Sequence, residues 1–175
     1  MSSGYRNNLA KQIAEHLVCA ELGRHELLAT PFSGNVPNYD VLVADDSGNA
    51  LPIQVKATRG DSWPSDSRIW MELELDSQTG VQRYHGPMPL PMPGLVYVCV
   101  ALAPLDSARR DRFFILTMAE LQAVCVQSHT AWMEEHGWKR PRNPETFDLR
   151  YGIEHLEEFE DNWVLISRLL QRQLG

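Results

Sequence analysis

Eight consecutive residues, Leu95-Val-Tyr-Val-Cys-Val-Ala-Leu102, are apolar β-formers with no charged or amide side chain among them. A strand of that kind has no face to turn to water, so it belongs in the interior of a sheet with cover on both sides. The rest of the chain must then supply neighbouring strands and two covering layers. With 175 residues, 43% apolar and 22% charged, it has one domain's worth of material and enough to bury a core without disulfides.

Strand and helix patterns alternate accordingly. Leu9–Leu22 reads as a helix, with Leu9, Ile13, Leu17 and Ala20 at spacings of three and four, a wide apolar arc covered on both sides, and a stop at Gly23. Turn residues fill Pro31–Asn38, and Tyr39–Ala44 is a short apolar strand. The cluster Asp45-Asp-Ser-Gly-Asn49 is a turn, and Leu51–Thr58 follows with strict alternation of Ile53, Val55 and Ala57 against Gln54, Lys56 and Thr58. Ile69–Leu75 reads as a third strand, Leu95–Leu102 as the central one and Phe113–Leu116 as a further one. Between them Pro87-Met-Pro-Leu-Pro-Met-Pro93 is a stiff connector that cannot donate ladder hydrogen bonds. Thr117-Met-Ala-Glu120 is a capping box opening a helix that runs to about His136. Trp138–Arg150 reads as irregular and basic, Ile153–Phe159 as a short helix and Trp163–Leu170 as an apolar ending. There is no internal repeat and no dividing linker, so residues 1–175 are expected to form a single domain.

Composition narrows the setting. No apolar run approaches the roughly 18–20 residues of a membrane span, and Met1–Asn8 leads into an amphipathic segment rather than a signal-peptide core. Cys19, Cys99 and Cys125 are odd in number, far apart and set among apolar neighbours, as expected of buried reduced thiols in a cytoplasmic protein. The net charge of −7 disfavours a phosphate-binding surface, but five acids and no base within Glu154–Asp161 account for most of it. Arg109, Arg110, Arg112 and Lys139, Arg140, Arg142 form local basic groups, read as solvated loops beside a solvated acidic helix.

If the hairpin folds about Ser47, Asp40 lies opposite Gln54 and Lys56 sits diagonally on the same face. A slip of one residue would send Asp40 to the other face, and the first strand, apolar on both faces, does not choose. An acid, an amide oxygen and a lysine around one point suit a hard cation such as magnesium and a water activated by it.

The helix segment Ala14-Glu15-His-Leu-Val18, Asp40 at the start of an apolar strand, and the hairpin into Ile53-Gln-Val-Lys56 together resemble the core of the PD-(D/E)xK nuclease superfamily, the restriction-endonuclease-like fold that includes archaeal Holliday junction resolvases. The resemblance spans residues 9–58, with 117–175 as a C-terminal helical elaboration. It implies an α/β fold, a restriction-endonuclease-like mixed β-sheet of at least four strands flanked by helices on both faces. It also implies hydrolysis of phosphodiester bonds in DNA with magnesium, or manganese in its place. Residue by residue, Asp40 would bind metal, Gln54 would stand at the second acidic position as a further ligand, Lys56 would be the motif lysine, and Glu15 the helix glutamate directed at the metal. Two departures accompany it. Tyr39 precedes Asp40, with Pro37 nearby, and Gln54 removes one negative charge, which implies weaker metal binding or a domain that has lost catalysis and kept binding to nucleic acid or a protein partner. Nucleases of this fold often work as pairs, so a homodimer is a further expectation.

For the helix carboxylate two residues compete. The resemblance nominates Glu15, whereas on a helical wheel Glu21 falls inside the apolar arc, where a buried carboxylate needs a partner. Glu72 and Glu74 on the third strand are further acids, read first as a solvated face. His129 and His136 share a helix face without a third ligand, and Trp63, Trp70, Trp132, Trp138 and Trp163 are read mainly as core with base stacking as the rival role. No phosphate-binding Gly-rich loop, nucleophile elbow or zinc helix is present.

Overall fold

The computed structural model describes residues 3–32 and 38–172. It is an α/β architecture built on a mixed five-stranded sheet with helices on both faces. The first helix, α1 (Ser3–Arg24), is longer at both ends than its apolar pattern. It buries Ala10, Ala14, Val18 and Leu22, a stripe of every fourth residue, while Ile13 stays 40% exposed. The expected arc of Leu9, Ile13, Leu17 and Ala20, covered on both sides, is therefore wrong. The small side chains at 10 and 14 allow the helix close to the sheet, and the larger residues flank the contact.

Two short strands follow, β1 (Leu28–Pro31) and β2 (Val41–Ala44), and then the long β3 (Ala50–Thr58). β1 occupies a sheet edge and ends in proline, which needs no ladder partner there. The sequence carries no signal for this strand, and Pro31, expected to open the turn over Pro31–Asn38, is its last residue; residues 33–37, Pro37 among them, lie outside the described residues. β2 and β3 form the hairpin in the register that places Asp40 opposite Gln54, since Val41 pairs with Ile53 and Ala44 with Ala50. Asp45 fixes the turn by accepting the N–H groups of Ser47 and Asn49, and Gly48 takes the left-handed conformation at φ 87°.

Residues 59–95 leave the sheet and make two ribbons' worth of excursions before returning. β4 (Ser62–Asp66) pairs with the late strand β9 (Asp148–Gly152), and β5 (Met71–Leu75) with β6 (Gln82–Pro87). The third predicted strand thus exists as β5 but is not in the main sheet, and Trp138–Arg150, expected to be irregular, leads into a strand. The proline-rich segment beyond β6 is a connector, as read. β7 (Val96–Ala101) then enters parallel to β3 and is buried along its whole length, with β8 (Arg112–Thr117) antiparallel on its other side. The order is β1-β2-β3-β7-β8.

α1 and the C-terminal α3 (Val164–Gln171) cover one face, packing on Val41, Val43, Ile53, Val55 and Val98. The other face carries α2 (Met118–Glu135) and the β4–β9 ribbon around Trp63, Tyr97, Cys99, Phe114 and Leu121. α2 opens with the Thr117–Glu120 capping box, both halves formed. Ile153–Phe159 is two 3-10 turns rather than a helix. The acidic stretch around it is not simply solvated: Arg112 grips Glu160 through two hydrogen bonds of 2.8 and 2.7 Å, and Arg110 pairs with Asp161 at 3.0 Å. Cys99 and Cys125 are buried free thiols, whereas Cys19 is only half-buried. No helix among the described residues is long and apolar enough to cross a membrane.

Candidate active site

The ladder between β2 and β3 ends where the chain enters β2. Asn38 turns it through a left-handed conformation at φ 72°, one that asparagine tolerates. Asp40 then joins the sheet by its backbone, giving its N–H to the Ile53 carbonyl at 2.8 Å and accepting the Phe32 N–H at 2.9 Å. Two residues further along β3, Val55 lies beyond the last β2 pairing, Val41 with Ile53, so its N–H finds no β2 residue opposite. The Asp40 side chain takes that place, accepting Val55 N–H on Oδ2 at 2.8 Å. Its carboxylate is consequently fixed and nearly buried, the residue 8% exposed.

Three other side chains converge on this carboxylate. Gln54, opposite it across the hairpin, donates its amide N–H to Oδ2. From α1, the Lys11 ammonium lies 2.9 Å from Oδ1 and 3.7 Å from Glu15 Oε1. Glu15 follows Lys11 by four residues, one helical turn, so both project from the same side of α1. Burial first, and then the Asp40 charge, push the Glu15 carboxyl above its ordinary range, partly offset by Lys11 and His16. The Lys11 ammonium is held above its ordinary value chiefly by its hydrogen bond to Asp40, against a cost of partial burial. Two carboxylates sharing one ammonium, with the Asp40 charge raising the proton affinity of Glu15, form a cation site in the electrostatic sense.

Asp40, Gln54 and Glu15 are therefore brought together. Glu21, the rival helix carboxylate, is on another part of α1 and pairs with Arg24 at 3.7 Å. Lys56 lies two residues beyond Gln54 on the same face of β3, opposite Cys99 of β7, and its ammonium is exposed with no hydrogen bond or ion pair among the described residues. Only its backbone is engaged, the carbonyl accepting the Trp63 indole N–H at 3.3 Å. Glu74 stands apart on the β5–β6 ribbon, bonded to His85 at 3.1 Å, and Glu72 is exposed on the same strand. Lys11 is the member sequence reasoning missed. Its signal was present in the four-residue spacing to Glu15, but a helical lysine ahead of a glutamate is an ordinary surface pair.

The donor set suits a hard cation in chemistry and is one charge short in number. Asp40 and Glu15 offer carboxylate oxygens, and a half-turn of the Gln54 amide would present its carbonyl oxygen in place of its N–H. Among the described residues no group of three His, Cys, Asp or Glu side chains gathers at a metal-sized spacing.

The tryptophans are mostly structural. Trp63 stacks on Tyr151 and meets Phe114 edge-on, while Trp70 and Trp163 are buried. Trp132 is 36% exposed and lies between His129 and His136, at ring-centroid distances of 6.0 and 4.4 Å. A cavity of about 820 Å³ lies away from Asp40 where β3 and β7 end. Its Arg59, Arg109, Arg110 and Arg112 face Asp61, Glu154, Glu157 and Glu160, so it carries no excess positive charge for a phosphate backbone. In comparisons with known proteins, no family model matches the chain and no curated protein matches its sequence.

Proposed function

We propose that this chain is a magnesium-dependent nuclease of the restriction-endonuclease-like fold that hydrolyses phosphodiester bonds in DNA. The observation that carries the reading is the meeting of Asp40 and Glu15, from a strand entrance and a helix, on one ammonium beside Gln54. Carboxylates are not driven together in a half-buried place without a cation to hold them. Asp40, Glu15 and the Gln54 carbonyl would hold magnesium or manganese. Such an ion, when bound, supplies a water activated at neutral pH and neutralises charge on the phosphate. Asp40 is oriented by Val55 N–H and cannot swing away, and the exposed Lys56 ammonium is free to meet a phosphate oxygen or to orient the attacking water. Unpaired cysteines fit a reducing, cytoplasmic setting, and two copies of the chain acting together would cut both strands of a duplex.

Incubation of the protein with plasmid, linear and branched DNA in magnesium or manganese tests this. Cleavage that needs the metal and is lost in Lys56→Ala and Asp40→Ala is the expected result. Cleavage surviving both substitutions would overturn the assignment.

One observation favours a second reading. Lys11 already neutralises part of the charge on Asp40 and Glu15, which suits a catalytically silent domain of this fold that binds nucleic acid or a protein partner. Salt-sensitive DNA binding without any metal binding would select it.

A further inference from the structure

We infer that Lys11 is a built-in competitor for the divalent cation, its ammonium holding the place between Asp40 and Glu15 and having to leave before a metal can enter. This rests on the reading of the site as a metal centre.

The two carboxylates and the lysine differ in how firmly they are held. The Asp40 side chain is 7% exposed and tied to Val55 N–H and Gln54, and the Glu15 side chain is 15% exposed. The Lys11 side chain is 54% exposed at the end of a flexible stem. When the ammonium lets go it regains water and rotamer freedom, while the carboxylates stay where they are. The arrangement is thus a fixed anionic seat with a movable monovalent occupant.

The charge balance gives the occupant its effect. With glutamine at position 54, the seat carries two negative charges, and the ammonium cancels one of them. An entering divalent ion meets a seat that is already partly neutralised, so its apparent affinity falls by the factor with which Lys11 populates the closed arrangement. Gln54 and Lys11 therefore act in the same direction, and of the two only Lys11 can move aside.

Calorimetric titration of manganese into the full chain and into Lys11→Gln and Lys11→Arg, each first melted in EDTA to establish that it is folded, tests this. Lys11→Gln is expected to bind manganese about tenfold or more tightly than the natural chain, and Lys11→Arg no more tightly than it. Binding by Lys11→Gln alone, with none detectable in the natural chain, supports the inference in its strongest form. Equal or weaker binding by folded Lys11→Gln, or the same tightening in Lys11→Arg, would overturn the role of Lys11 and leave the metal centre standing. No binding by any of the three folded proteins would remove the metal centre, and the inference with it.

Discussion

Asp40 Oδ2 accepts the Val55 N–H at 2.8 Å, so one carboxylate both completes a strand ladder and faces the helix cation. The dual role has a cost in any mutational test. Asp40→Ala leaves a buried N–H without a partner and the Lys11 ammonium without its shortest contact. A loss of about 2–3 kcal/mol in unfolding free energy is expected, discounted from the fully buried case because Lys11 is half exposed. Urea denaturation measures it, and a loss below about 0.5 kcal/mol would show that Asp40 is not structural.

Lys56→Ala is the cleaner probe of chemistry. Its side chain is exposed and unpaired among the described residues, so stability should change by less than about 0.5 kcal/mol. DNA cleavage should fall by about a hundredfold or more, as when a positioned charge or proton-transfer group is removed. Single-turnover rates alongside denaturation curves separate the two quantities.

Gln54→Glu exchanges the N–H donated to Asp40 for a second negative charge facing it. Melting in EDTA should drop, by the equivalent of about 1–2 kcal/mol, because like charges now meet in a half-buried place. Magnesium should restore it and stabilise the variant more than the natural chain. Thermal scans with and without magnesium read both effects, and an unchanged response to metal would argue against Gln54 as a ligand.

His129 gives the fold an acid limb unrelated to the carboxylates. It is 5% exposed, its Nε2 has no hydrogen-bond partner among the described residues, and burial, aided by the Arg140 charge, depresses its pKa to about 4. The unfolded chain takes up a proton near the ordinary 6.5 whereas the folded one does not until about 4. His129's contribution is therefore fully present above about 6.5 and is lost as pH falls from there to about 4. His129→Leu should flatten the fall in melting temperature across that window, and an undiminished slope would count against the buried neutral imidazole.

What could be read from the chain depended on where each element's partners are. The β2–β3 hairpin is local, and its turn residues with the alternation from Ile53 to Thr58 made the hairpin legible, but with β2 apolar on both faces the choice between Asp40 opposite Gln54 and a one-residue slip was settled only by the structure. β7 was legible because a wholly apolar strand has one place to go, and α2 because Thr117 and Glu120 cap each other. β4 and β9 were not legible. Ser62-Trp-Pro-Ser-Asp66 has no β period and becomes a strand by pairing with residues 148–152, more than eighty positions away. The contacts of α1 were misjudged for a related reason: hydrophobicity selects large residues, while close packing against a sheet selects Ala10 and Ala14. Lys11 was hidden because a lysine's significance lies in what another part of the chain places next to it.

The crossover between β3 and β7 has a consequence for biogenesis. Lys11, Glu15, Asp40, Gln54 and Lys56 all belong to the first 56 residues, whereas the parallel neighbour of β3 is reached only after a detour through residues 59–95. On a ribosome the helix and hairpin emerge together and can meet before the crossover is made. The parallel strand arrives later, as a brace behind a cluster already laid out.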